Sequence, residues 1–98
     1  MGERNNRRPD RKTLQLCKQV QHALMYALPE TGSDSLLDAY VDEVQPAPDA
    51  SRLLVSVRTQ GDPLEVMQAL HANTPRLRSA VAEAITRRKA PELAFQVL

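Results

Sequence analysis

From Thr13 onward the apolar positions Leu16, Cys17, Val20, Leu24, Ala27 and Leu28 recur at helical spacing, so they form one face of an α-helix. Pro9 and Asp10 open this helix, and it is expected to end near Pro29. Glu30 to Ser35 are turn and loop formers. Leu37, Ala39 and Val41 then alternate with Asp38, Tyr40 and Asp42, which predicts a half-buried strand. The apolar phase slips to Val44, so a bulge or an end of pairing is expected near Glu43. Pro46 to Asp49 must turn, because two prolines remove ladder donors and fix φ. Leu53, Val55 and Val57 give a second strand, joined to the first as a hairpin.

The clearest helix start follows. Asp62 is placed as N-cap, Pro63 at the first helical position, and Glu65 where a capping box puts its acid; Val66, Met67 and Leu70 form the buried side. At Asn73-Thr74-Pro75 the proline forces its predecessor out of helical geometry, and Thr74 is expected to cap a fresh helix. Leu77, Val81, Ala84, Ile85 and Arg88 share one side of that helix. A last strand over 91–97 puts Leu93, Phe95 and Val97 on one face. The order is α-β-β-α-α-β, a two-layer α+β domain with helices packed against one face of the sheet. Residues 9–98 form this domain, and the polar, arginine-rich residues 1–8 read as a flexible basic arm.

The 98 residues with 42% apolar content fill one core. Net charge is only +1, yet it is distributed unevenly. Arg4, Arg7, Arg8, Arg11 and Lys12 make the start basic; Asp34, Asp38, Asp42, Glu43 and Asp49 make the middle acidic; Arg76, Arg78, Arg87, Arg88 and Lys89 restore positive charge near the end. If the two basic ends meet in space, they form one phosphate-binding surface. Arg11, Gln15, Lys18 and His22 also continue along one stripe of the first helix, which suits a ligand-facing surface and an ordinary solvated face equally.

Little in the chain supports catalysis. His22 and His71 have no ligand at metal spacing, Gly2, Gly32 and Gly61 stand alone rather than in a phosphate loop, and Cys17 lies in a helical apolar pattern where a thiol acts as a small hydrophobe. No enzyme, cofactor, metal site or small-molecule substrate is expected. The N-terminal charges lack an apolar stretch behind them and no run is long enough to cross a bilayer, so cytoplasmic residence is expected.

Arg8-Pro9-Asp10-Arg11, the hairpin from Val41-Asp42-Glu43-Val44 through Pro48-Asp49 to Val57, and Leu77-Arg78-Ser79 followed by Arg88-Lys89-Ala90-Pro91-Glu92-Leu93-Ala94-Phe95 are three segments that resemble the ribosome-binding factor A family. The first matches the family's Arg-Pro-x-Arg at the first helix, the second its hairpin, and the third its Arg-Ser pair and later Arg-x-x-Pro-Glu-Leu-x-Phe. Together they cover about residues 8 to 97. At the kink between the last two helices the family has Ala-x-Gly and this chain has Asn73-Thr74-Pro75; proline imposes the break that glycine permits, so the kink is expected to survive.

The resemblance implies a KH-like type II fold with a three-stranded mixed sheet, acting as a small ribosomal subunit (30S) assembly factor that binds 16S rRNA as a monomer. Such a domain lacks the Gly-x-x-Gly loop of ordinary KH proteins, so recognition rests on shape and phosphate contacts. With three aromatics in the chain, stacking is poorly supplied: Tyr40 can stack, while Tyr26 and Phe95 read as structural. The RNA-contact candidates are Arg8, Arg11, Lys18, Arg76, Arg78, Arg87, Arg88 and Lys89. Arg87 also lies four residues after Glu83, as in a surface ion pair, and Arg76 and Arg78 project about 200° apart on a helix. A rival reading makes the chain a protein-interaction module whose acidic middle, Asp34 to Asp49, docks a basic partner.

Overall fold

The computed structural model describes residues 10–85 and 89–98. The elements, in chain order, are α1 (Arg11–Glu30), α2 (Asp34–Leu37), β1 (Ala39–Pro46), β2 (Arg52–Thr59), α3 (Pro63–Ala72), α4 (Thr74–Ala84) and β3 (Glu92–Val97). The order expected from the sequence is present with one addition, the single turn α2.

Asp10 caps α1 by accepting a 2.8 Å hydrogen bond from the Thr13 amide. Hydrogen bonds from Thr13, side chain first and backbone second, hold the Asp10 carboxyl below the usual carboxylate range. The buried face is the expected one: Leu16, Cys17, Val20, Leu24, Ala27 and Leu28. The helix runs through Pro29 and ends at Glu30, as expected. Its end is closed by the Thr31 hydroxyl, which donates to the Leu28 carbonyl at 2.8 Å, and by Gly32, whose φ of 78° turns the chain away.

The segment after Gly32 corrects the sequence reading. Leu37 does not begin the first strand; it ends α2 and is 58% exposed, while Leu36 is the core residue. With Ser33 extended ahead of it and Asp34 in its first turn, this short helix inserts Leu36 where α1, α3 and β1 converge. The alternation starts only at Ala39.

β1 and β2 form an antiparallel hairpin whose register shifts between Val41 and Glu43. Asp42 is the extra residue of this bulge, which explains how Val41 and Val44, an odd number of positions apart, both face the core. The connecting turn is pinned by Asp49, which accepts bonds from the Ser51 amide at 2.9 Å and the Ser51 hydroxyl at 2.6 Å. Those bonds, the side-chain one first, lower the Asp49 pKa. The contribution of this turn to stability is therefore present at neutral pH and lost as pH falls through the lowered value.

β3 adds in parallel to the other edge of β2, giving the order β1-β2-β3. A parallel neighbour requires a long crossover, and α3 and α4 supply it. Leu53, Val55 and Val57 of the central strand are fully buried, with Leu93, Phe95 and Val97 opposite them in register. α1 packs on β1 and α4, and α3 packs against β3, so the helices cover the face that these valines and leucines present. On the other face Ser56 is 3% exposed, and its hydroxyl accepts a 2.7 Å bond from the Gln96 amide.

Asp62 caps α3 through the Leu64 amide at 2.9 Å, and Pro63 occupies the first turn, as expected. The break between α3 and α4 is present, but Thr74 is not its cap. Asn73 serves as C-cap of α3 and N-cap of α4, and the Thr74 hydroxyl instead donates back to the Leu70 carbonyl at 2.9 Å. Leu77, Val81 and Ile85 are buried as expected; Ala84 is exposed, because the chain becomes extended at Ile85 and the core contact passes to that side chain. Arg88, assigned to the same side, lies outside the described residues.

Cys17 is only 5% exposed, and burial pushes its thiol pKa up. Alkylation by iodoacetamide near pH 8 is expected to be at least about 100-fold slower in the native protein than in denaturant. Rates within about tenfold of each other would contradict this placement.

Candidate nucleic-acid interface

The exposed cations fall into distinct places. Arg11, Gln15, Lys18 and His22 are all solvent-facing on α1, so the predicted stripe exists. It continues to Tyr26, whose ring meets that of His22 edge-on at 5.1 Å. Tyr26 was expected to be structural, yet it is 62% exposed, because α1 turns it away from the face carrying Leu24 and Leu28. Tyr40 is also exposed, opposite Arg58 in the hairpin register, while Phe95 packs on the core as expected.

Arg76 and Arg78 separate as their spacing requires. Arg76 Nη1 reaches 3.4 Å from the Glu30 carbonyl, setting a cation at the negative end of α1. A 20-residue helix is about 30 Å long, so Arg76 and Arg11 lie at opposite ends of it. Arg78, from another side of α4, lines a groove of about 650 Å³ with Lys89, Arg52 and Glu92. Arg11 and Lys18 are not part of that groove. Arg8, Arg87 and Arg88 lie outside the described residues, as does the arm over 1–8.

Arg52 is not among the contact candidates read from the sequence, where it lies close to the acidic residues of the middle segment. The available signal was its position, directly after the hairpin turn and one residue out of phase with the buried Leu53. The backbone fixes it on both sides: its amide donates to the Asp49 carbonyl at 3.2 Å and its carbonyl accepts from the Ala47 amide at 2.8 Å. A further bond, from the Glu92 amide to the Ser51 carbonyl at 2.9 Å, ties the start of β3 to the same turn. Among the described residues the ion pair is Arg58 with Asp42 at 3.2 Å, so Arg52, Arg78 and Lys89 have no carboxylate partner there.

Of the acidic middle, Asp34 and Asp38 line a shared depression with Asp62 and Glu65, and Asp42, Glu43 and Asp49 are not part of it. This separate depression, of about 190 Å³, lies between α2 and the start of α3. Among the described residues no group of three or more histidine, cysteine, aspartate or glutamate side chains could hold a metal ion, and no helix is long and apolar enough to cross a membrane.

Neither a scan of family models nor a comparison with curated proteins finds a match to the sequence. Solved structures do match. The crystal structure of ribosome-binding factor A from Thermus thermophilus superimposes with a TM-score of 0.80 at 26% identity, covering 87% of this chain and 93% of that one. The chain is RbfA-like. The chain is also similar to a homology model of the Thermus thermophilus factor fitted into the cryo-EM map of a 30S-RbfA complex, with a TM-score of 0.69 at 27% identity over 80% of this chain and 86% of that one. The solution NMR structure of a Thermotoga maritima protein shares the RbfA-like fold at a TM-score of 0.75 and 22% identity, over 92% of this chain and 90% of that one. The mixed three-stranded sheet and helical layer expected from the family resemblance are those of these neighbours.

Proposed function

We propose that this RbfA-like chain is a small ribosomal subunit assembly factor that binds 16S rRNA through its basic surface, as a monomer in the cytoplasm, and is not an enzyme. The observation that carries the reading is its likeness, at 27% identity, to the factor fitted into the 30S complex map. The surface is consistent with phosphate recognition. The α1 stripe with Arg11 and Lys18 and the groove with Arg78 and Lys89 offer cations to solvent, and the sparse aromatics leave charge as the main source of affinity. Arg8, Arg87 and Arg88 belong to the same proposed set, with residues 1–8 as a basic arm on a domain over 9–98. Arg76, at the far end of α1, is the candidate least connected to the rest.

Sedimentation tests this directly. The protein is expected to travel with immature small subunits and to leave mature ones. Its affinity for small-subunit rRNA should fall linearly on a log-log plot against salt, with a slope of about −0.7 for each phosphate neutralised on single strands. Absence from immature subunits, or a flat salt plot, would refute the reading.

The acidic depression supports a second reading, in which Asp34, Asp38, Asp62 and Glu65 receive a basic protein segment. Binding to a small-subunit protein that survives removal of all RNA would favour it.

A further inference from the structure

We infer that the groove between the hairpin turn and the start of β3 is a clamp for the RNA sugar-phosphate backbone, with Arg52 as a contact residue beside Arg78 and Lys89. The inference rests on the rRNA-binding reading and gives it a location. Three segments distant in sequence bring one cation each to the groove: the turn, α4, and the approach to β3. Three cations with the single carboxylate of Glu92 leave the groove with a net positive charge, which favours an anionic ligand there.

Rigidity favours a binding site over a chance patch. Arg52 is held by backbone bonds at both its amide and its carbonyl, and the Glu92 amide bonded to the Ser51 carbonyl fixes the start of β3 to the same turn. A guanidinium on so constrained a backbone loses less freedom on meeting a phosphate than one on a mobile loop. Glu92 lies in the same lining. It stands across the sheet register from Arg52, so it offsets part of the positive charge and leaves an excess of cations to meet a strand. A volume of about 650 Å³ is within the range of an enclosed ligand site and holds a short length of one strand.

Phosphate chemistry is shared by RNA and by small polyphosphates, and the groove is assigned to RNA. The test uses the full chain, a mixed-sequence RNA of about 12 nucleotides, immature small subunits, and inorganic tripolyphosphate. Arg52→Gln is expected to weaken RNA binding about fivefold, to reduce the magnitude of the log-log salt slope by about 1, and to reduce association with immature subunits. Arg78→Gln should do the same independently, whereas Arg58→Gln, whose side chain pairs with Asp42, should change affinity by less than about twofold. In amide NMR spectra RNA should perturb Ser51, Arg52, Arg78 and Ala90, and the variants should otherwise keep the native pattern.

If Arg52→Gln and Arg78→Gln bind RNA and subunits as the native chain does, the clamp is wrong and the assembly reading stands. If tripolyphosphate perturbs these amides and RNA does not, the groove serves a small polyphosphate and the assignment to RNA is overturned. If the native chain binds neither RNA nor immature subunits, the assembly reading and the clamp fall together.

Discussion

Replacing Leu24 with alanine is expected to lower the free energy of unfolding by about 3 kcal/mol. Leu24 lies at the middle of α1 with no exposed surface, on the face that packs against β1 and α4. Truncation removes the transfer energy of its buried methyl groups and leaves a cavity lined by α1 and its neighbours, which cannot fully collapse because the core is already closely packed. Domains of this size are stable by only about 5–15 kcal/mol, so the melting temperature should fall by roughly 15 °C. The neighbouring Met25 is the control. It is 55% exposed, and Met25→Ala should change stability by less than about 0.5 kcal/mol. Equal losses for the two variants in thermal or urea unfolding would mean that α1 presents a different face to the sheet.

The contrast between Leu24 and Met25 was readable because a long helix repeats its face several times, and each repeat tests the others. The same holds for β2, where Leu53, Val55 and Val57 alternate without interruption and all three are buried. Reading failed where the pattern was shorter than one period. Leu36 and Leu37 are adjacent leucines in a single turn, and nothing local decides which of them is buried; the convergence of α1, α3 and β1 decides it. Ala84 and Ile85 show the same limit at a helix end, where the departure from helical geometry transfers burial to the later residue. Asn73 and Thr74 show a chemical version of it. Both can cap, and which one does so depends on where the Ala69 and Leu70 carbonyls need donors.

The excess of cations toward the two ends was legible from composition, and their grouping in space was not. Arg78 and Lys89, eleven positions apart in the sequence, line one groove, a convergence that neither composition nor periodicity specifies. Arg52 is a lone cation in a segment where acidic residues predominate, so composition does not single it out. Pairing within the sheet is what separates it from Arg58, an equally isolated cation that meets Asp42 across the hairpin bulge. Tyr26 escaped for the opposite reason: apolar bodies are read as core, but at its position α1 faces solvent.

Reversing two groove charges together, with Arg78→Glu and Lys89→Glu, is expected to reduce association with immature small subunits about 100-fold near 0.1 M salt. Neutralising a cation removes one phosphate contact; reversing it also places a carboxylate where the phosphate must sit, so the double variant combines lost attraction with repulsion from an already present Glu92. Both side chains are exposed and, among the described residues, neither has a hydrogen-bond or ion-pair partner, so circular dichroism and melting temperature should be close to native. The defect should shrink as ionic strength rises, because the native protein loses its own electrostatic affinity over the same range. A matched reversal at Arg76, which sits against the end of α1, should affect association far less and stability more. Native association by the Arg78→Glu/Lys89→Glu protein would remove the groove from the ribosome-facing surface and move the search to α1.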